Sequence, residues 1–304
     1  MTRLMIVGNG FDLFHNIKSS YQDFRKYTSE NSNDEFLENI EKYIDGDELW
    51  SNFEYALSIV DITSLEDDNS HFYLSYDDEE WSESANFDYQ MMVEEGLSFY
   101  KDIEPHLRKW VSELDLGKKR MLKKKQVKKF DKFLNFNYTP LLQQLYKIDD
   151  SLVCHIHGTT GSEKMIIGHG DESKIKNQTR LDFDSEEEFE DYCEYKNERD
   201  FRDQEADSVI KEYFRSTYKP VSELIKQNQS FFRELGKLSE VFIIGHSLAA
   251  VDLPYFKEIF MYTHPKTKWK VTYYSSNDKD RFKNAIKTLG VKGKQIEMIN
   301  IKSL

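Results

Sequence analysis

The hydrophobic pattern at the start of the chain is a short continuous run, Leu4-Met5-Ile6-Val7, broken by Gly8-Asn9-Gly10. An apolar run of that length without strict polar alternation predicts a strand over Arg3–Val7, buried on both faces as in a parallel sheet. Helical spacing follows through Phe11, Phe14, Tyr21 and Phe24. The same succession of apolar run, glycine turn and helical spacing returns in Glu240–Phe260, EVFIIGHSLAAVDLPYFKEIF. Shorter apolar runs predict further strands at Phe133–Phe136, Ser151–Gly158 (SLVCHIHG), Glu163–Gly170 (EKMIIGHG), Lys268–Ser276 and Lys294–Ile301. Between them, residues from about 28 to 116 are acidic with helical periodicity, Trp50–Val60 being the clearest amphipathic piece and Leu65–Glu83 a loop with a helix start. A second acidic helical stretch, Asp182–Arg202, lies inside an insertion from about 176 to 235. Strands alternating with helices predict an α/β class with a largely parallel sheet flanked by helices. The expected organisation is a single domain over residues 1–304, with the helical insertions packed on it.

Composition changes this picture little. The chain has 304 residues, 38% hydrophobic and 14% aromatic, enough for a sizeable core, and 32% charged residues. No run of about 18 apolar residues predicts a membrane span, and no leader pattern opens the chain, so a cytoplasmic protein is expected. Two cysteines, Cys154 and Cys193, make no disulfide framework. The net charge of -13 argues against general nucleic-acid binding. One local exception is Lys118–Lys129, with eight Lys or Arg in twelve residues: a contact for phosphates or an acidic partner, or a solvated face.

Four stretches could carry chemistry. Gly8-Asn9-Gly10-Phe11-Asp12 allows either a tight turn or the approach of a phosphate to a helix N-terminus, although Leu13 replaces the third glycine of the dinucleotide fingerprint. Asn137, after the Phe133–Phe136 strand, could hold a ribose hydroxyl or a water, or cap the helix near Pro140. His155 and His157 share a face if their strand continues through them. They could then ligate a metal with His169, or one could act as a general base, or both could be buried core residues. Gly245-His246-Ser247-Leu248-Ala249 imitates a nucleophile elbow, but His264 is the only later histidine and Asp252 would have to be the acid. That leaves no room for the elements separating triad members, and the serine-hydrolase reading is set aside.

Together, IVGNGFDLFHNIKSSYQDF, FNYT, HIHG and IIGHSLAAVDLPYF resemble the bacterial abortive-infection family AbiH. Asn16 and Lys18 depart from it, standing where glycine and proline are expected. The same stretches resemble, more remotely, sirtuin-like NAD-binding domains, which implies a Rossmann-type sheet. The resemblance implies cofactor-binding roles for Gly8, Asn9, Gly10, Phe11, Asp12, Asp23, Phe24, Gly158, Gly245, His246 and Ser247. It implies catalytic roles for Asn137 and His157. Asp23-Phe24-Arg25 matches an Asp-Phe-Arg element, and His157-Gly158 the catalytic His-Gly. The zinc-binding cysteine quartet of the deacetylases is missing. The implied function is therefore phage defence by hydrolysis of NAD at the nicotinamide–ribose bond, with NAD as substrate and no metal. Glu54 would stabilise positive charge from the insertion, or be a surface carboxylate. A nucleotide sensor without turnover is the alternative reading, and a nuclease a third. Expected partners are the nucleotide, an unidentified phage trigger and, as a candidate, a second copy of the chain, with no membrane.

Overall fold

The computed structural model describes residues 2–31, 36–74, 77, 79–82, 85–176, 185–190 and 201–304. Most of the Asp182–Arg202 stretch, Cys193 included, and parts of Leu65–Glu83 lie outside the described residues. The chain divides into two compact units, the first from residues 1–27, 106–166 and 219–304 and the second from residues 28–105 and 167–218.

The first unit holds one parallel sheet of six strands: β1 (Thr2–Val7), β2 (Lys132–Asn135), β3 (Val153–His155), β4 (Leu238–Ile244), β5 (Thr263–Tyr273) and β6 (Ile296–Asn300). Their spatial order is β3-β2-β1-β4-β5-β6, and every pair is parallel. This is the order of doubly wound dinucleotide-binding sheets, in which the connections reverse direction between β1 and β4. The apolar run of β1 serves both faces. Leu4 and Ile6 pack with Leu134, Val241, Ile243, Trp269 and Val271 on one side. Met5 and Val7 pack with Phe133, Phe242 and Ile244 on the other. A strand buried this way needs apolar residues at successive positions, hence its lack of alternation.

Several expected elements take other forms. Helical spacing from Phe11 to Phe24 is split into helix α1 (Asn9–Phe14) and a helix over Tyr21–Asn31. The break falls at Asn16, which sits in the left-handed region at φ 61°. Trp50–Val60 is likewise divided, into helices Gly46–Ser51 and Phe53–Ala56. EKMIIGHG forms no strand. Its Ile166 N–H folds back onto the His157 carbonyl at 2.8 Å, and only an isolated bridge joins His169 to Tyr218. β3 ends at His155, so His157 lies in the turn beyond it and the two histidines do not share a strand face.

In the second unit the described elements are helical. Helices Ala85–Leu97 and Phe201–Ser216 pack together. Arg202, 2% exposed, donates to the Leu74 carbonyl and lies over the Tyr73 ring at 3.9 Å. Tyr213 is fully buried and its hydroxyl donates to the Leu57 carbonyl at 3.0 Å.

Candidate active site at the carboxyl edge of the sheet

Register brings the four chemistry-bearing stretches to one level. Val7 pairs with Asn135 and with Ile244, and Asn135 pairs with His155. The chain therefore leaves β1, β2, β3 and β4 at the same edge, where parallel α/β sheets bind ligands.

The β1 and β4 loops touch through their backbones. Gly8 N–H donates to the Ile244 carbonyl at 3.1 Å, and Gly10 N–H to the Gly245 carbonyl at 2.7 Å. A β-carbon on Gly10 would stand 2.7 Å from Gly245 Cα, and one on Gly8 would stand 2.7 Å from His246 Cα. Gly245 itself has φ 65°, and a β-carbon there would meet Phe11 N at 2.1 Å. The glycines thus serve a backbone-to-backbone approach of two loops, and the Gly10 amide is already committed. Beyond them Leu248 is held at φ 52° and Ser247 is exposed. A branched-chain residue in the left-handed region is a strained position.

A first polar network gathers around Asp12, which is 1% exposed. Asn137 Nδ2 donates to Asp12 Oδ1 at 2.9 Å and to the Gly8 carbonyl at 3.1 Å, while Thr139 Oγ1 donates to Asp12 Oδ2 at 2.6 Å. The Gly8 carbonyl fixes which end of the Asn137 amide faces inward, because only N–H can meet it. Burial pushes the Asp12 carboxyl up to about 7, against the lowering by its hydrogen bonds from Thr139 and Asn137. Asn135 Oδ1 accepts the Asn137 N–H at 2.9 Å and its amide donates to the Thr139 carbonyl at 3.2 Å, which shapes the β2 loop. His155 Nδ1 lies 3.2 Å from the Asn137 carbonyl and Nε2 lies 2.9 Å from the Gln143 amide.

A second network was not legible in the sequence. Lys219, 0% exposed, places Nζ 3.1 Å from Asp252 Oδ1. Asp252 Oδ2 lies 3.5 Å from His246 Nε2, and Oδ1 lies 3.9 Å from His157 Nε2. Phe136 stands edge-on to both imidazoles, at 5.2 Å from His157 and 4.3 Å from His246. Burial would raise the Asp252 carboxyl, but Lys219, His246 and His157 outweigh it and hold it below the usual carboxylate range. Burial lowers His157 to about 3, with Lys219 and His246 acting the same way against Asp252 and a backbone hydrogen bond at Phe136. His246 is lowered to about 4, mainly by burial. Both histidines are neutral at pH 7.

The remaining expected site residues have structural partners. Asn9 is exposed and both ends of its amide are tied to Ser19, at 2.8 and 2.7 Å. Phe11 is fully buried against His15, whose Nε2 meets the Tyr146 hydroxyl at 2.6 Å. Asp23 accepts the Ser20 N–H at 3.0 Å and its own N–H donates to Ser20 Oγ at 3.1 Å, a capping box opening the Tyr21–Asn31 helix. Phe24 is fully buried beside Trp110. Gly158 has φ 80°, with the Lys164 carbonyl 2.5 Å from where its β-carbon would stand. Glu54 lies on the Phe53–Ala56 helix of the second unit. His169, also in that unit, accepts the Asp171 N–H on Nδ1 at 3.1 Å and donates from Nε2 to the Phe214 carbonyl at 3.0 Å. Among the described residues, no three His, Cys, Asp or Glu side chains form a metal-ligating group. Cys154 has its thiol pushed up to about 12 by burial and points at Asn228 Oδ1, 3.4 Å away. The basic run precedes β2, and within it Arg120 donates to the Leu145 carbonyl at 3.2 Å and the Leu122 N–H to the Tyr146 hydroxyl at 3.1 Å.

The strand order and the polar carboxyl edge define a Rossmann-like α/β protein with a buried cluster of titratable groups beside the sheet's switch point. A family model described as "Bacteriophage abortive infection AbiH" matches residues 4–273, and the chain belongs to that family. No curated protein and no solved structure matches it. Among the described residues no helix is long and apolar enough to cross a membrane.

Proposed function

We propose that this AbiH chain is a phage-defence effector that takes NAD across the β1/β4 switch point and hydrolyses its nicotinamide–ribosyl bond. Family membership supports the defence role. The nucleotide reading is supported above all by the convergence of the β1, β2, β3 and β4 loops at one carboxyl edge of a 3-2-1-4-5-6 sheet. The glycine geometry alters how such a ligand would be held. With Gly10 N–H taken by Gly245, the pyrophosphate would rest on the β4 turn around Ser247 more than on the β1 glycines.

The reaction breaks the C1′–N bond, and the electron pair neutralises the pyridinium nitrogen of departing nicotinamide. Water adds to C1′ and releases one proton. The leaving ring is cationic, so no general acid is needed, and the transition state is oxocarbenium-like. Asn137 spends its N–H groups on Gly8 and Asp12, so its Oδ1 is the atom offered to a ribose hydroxyl or the attacking water. His157, neutral and with Nε2 buried without a hydrogen-bond partner, would orient a hydroxyl through that nitrogen. The test is nicotinamide release from NAD by purified protein, prepared from uninfected and from phage-infected cells. His157→Ala is expected to cut it by about 10²-fold, the cost of losing the orientation of a reacting hydroxyl.

A second reading is a nucleotide sensor without turnover. It is favoured by the low basicity of His157, which at about 3 is a poor proton acceptor at neutral pH. Saturable binding of NAD or ADP-ribose with no nicotinamide released would select it.

A further inference from the structure

We propose that Asp12 and Thr139 are positioning residues that lock the side-chain amide of Asn137 in one orientation, leaving its Oδ1 as a fixed acceptor that recognises a hydroxyl donor on the ligand and gives no contact to a phosphate or carbonyl oxygen. That the donor is a ribose hydroxyl or the attacking water rests on the NAD reading above. The lock rests on the hydrogen bonds alone.

An asparagine amide has two donor protons and one acceptor oxygen, and by turning over it can serve either kind of partner. Asn137, 7% exposed at the end of β2, cannot turn. Its Nδ2 donates to the Gly8 carbonyl at 3.1 Å and to Asp12 Oδ1 at 2.9 Å, which engages both protons. Turned over, it would bring Oδ1 against two acceptors and leave each of them without its donor in a buried place, which is costly. Its backbone N–H donates to Asn135 Oδ1 at 2.9 Å, so the main chain carrying the amide is fixed as well. Among the described residues no group donates to Asn137 Oδ1, and that oxygen is not sealed from solvent.

Asp12 is an unusual residue to bury. It is 1% exposed on α1, and among the described residues no Lys, Arg or His side chain pairs with it, whereas Lys219 answers the buried Asp252. A buried carboxyl without a cation is a poor stabiliser, and a neutral side chain would fill the same space. What the carboxyl does supply is two acceptor oxygens in fixed places. Oδ1 takes Asn137, and Oδ2 takes Thr139 Oγ1 at 2.6 Å. The Thr139 hydroxyl can donate to a carboxylate or accept from a protonated carboxyl. Asp12 Oδ1 therefore remains the acceptor for Asn137 in either state.

The test is NMR of side-chain amides in the full chain, with the Asn137 signals assigned by their absence in Asn137→Ser. In ligand-free wild type, the Asn137 Nδ2 protons are expected to exchange with water about tenfold or more slower than those of exposed Asn277. Equal rates overturn the lock without any variant having to fold. Asp12→Leu should lose that protection, while Asp12→Asn, which keeps an acceptor facing Asn137, should retain it. Thr139→Val should lower it and Thr139→Ser should not, and this pair makes the same comparison if Asp12→Leu does not fold. Wild-type exchange at Asn137 in both Asp12→Leu and Thr139→Val overturns the positioning role. Saturating ADP-ribose, which brings hydroxyl donors, is expected to shift the Asn137 side-chain carbonyl carbon, and sulfate, which brings only acceptors, is not. An equal shift with sulfate overturns the acceptor assignment. In NAD turnover, Asp12→Leu is expected to lose about tenfold or more in kcat with little change in KM, and Asp12→Asn to recover most of it. A protected Asn137 amide that Asp12→Leu releases, with no response to ADP-ribose and no NAD turnover in any preparation, would remove the NAD reading and leave the lock standing.

Discussion

Gly10 and Asn16 show how single residues are spent in the β1 loop. Gly10 is glycine because Gly245 Cα stands 2.7 Å from where its β-carbon would be. Gly10→Val is therefore expected to destabilise the folded chain itself, by about 1–3 kcal/mol or more through overpacking, and not merely to remove a ligand. Thermal unfolding in the absence of nucleotide checks this, and an unchanged midpoint would return Gly10 to the role of a phosphate seat. Asn16, where the resemblance implied glycine, has φ 61°, a left-handed conformation that suits either residue. Asparagine is the side chain best tolerated in that region after glycine. Asn16→Gly should leave stability within about 1 kcal/mol of wild type in a denaturant titration.

Asp12 and the two buried histidines set opposite pH dependences. Asp12 is raised toward 7 on folding, so its contribution is full below the ordinary carboxylate value of 3.8 and is lost as pH rises toward 7. His157 and His246 are lowered on folding, so their contribution is full above 6.5 and is lost as pH falls toward 4 and then 3. Each group contributes a slope of at most about 1.4 kcal/mol per pH unit. Asp12→Asn retains an acceptor for Asn137, and Thr139 can turn its hydroxyl to accept from the new amide. This variant should lose the decline between pH 4 and 7 while keeping the decline on the acid side. Unfolding free energies across pH 4–8 would show it, and a wild-type profile in the variant would place Asp12 ionised in the folded chain.

At the scale of elements, what could be read from the sequence was what a strand needs locally. β1 and β4 announce themselves because a two-face-buried run must be apolar at successive positions, whereas β5 alternates Lys266, Lys268 and Lys270 with buried Thr267, Trp269 and Val271. EKMIIGHG carries the same local signal and is a loop, since its hydrogen bonds go to His157 and to a single bridge with Tyr218. Periodicity cannot report that choice. The Asp12–Asn137 contact likewise joins residues 125 apart, and no spacing rule predicts it. Lys219 was missed for a related reason. It looks like an ordinary surface lysine ahead of Pro220, and only the sheet brings it to Asp252, 33 positions later. In the sequence, Asp252 suggests only an acid for a triad that the chain has no room to build.

The Lys219–Asp252 pair links the start of the Val221–Gln227 helix to the start of the Leu253–Met261 helix. Because it is desolvated, removing one partner should cost far more than the pair contributes. Lys219→Met is expected to lose about 3–5 kcal/mol. The double variant Lys219→Met/Asp252→Leu should recover much of that loss, because no charge is left buried alone. Denaturant titrations of the two variants decide the matter. A double variant as unstable as the single one would mean that the helices, and not the charges, are what the substitution disturbs.

For the whole molecule, the six-stranded parallel sheet is Rossmann-like and the family assignment makes the chain a phage abortive-infection protein. The carboxyl edge collects Asp12, Asn137, His157, His246, Asp252 and Lys219 around the loops of four strands, a density of buried polar groups that a purely structural edge does not require. The most direct measurement is nicotinamide release from NAD by the full chain purified from phage-infected cells, with His157→Ala and Asn137→Ala alongside. The account predicts stoichiometric nicotinamide and ADP-ribose from the wild type, about 10²-fold less from His157→Ala, and little from Asn137→Ala, with loss of phage protection in both variants. Wild-type protein that protects cells fully while releasing no nicotinamide, in infected and uninfected preparations alike, would contradict it.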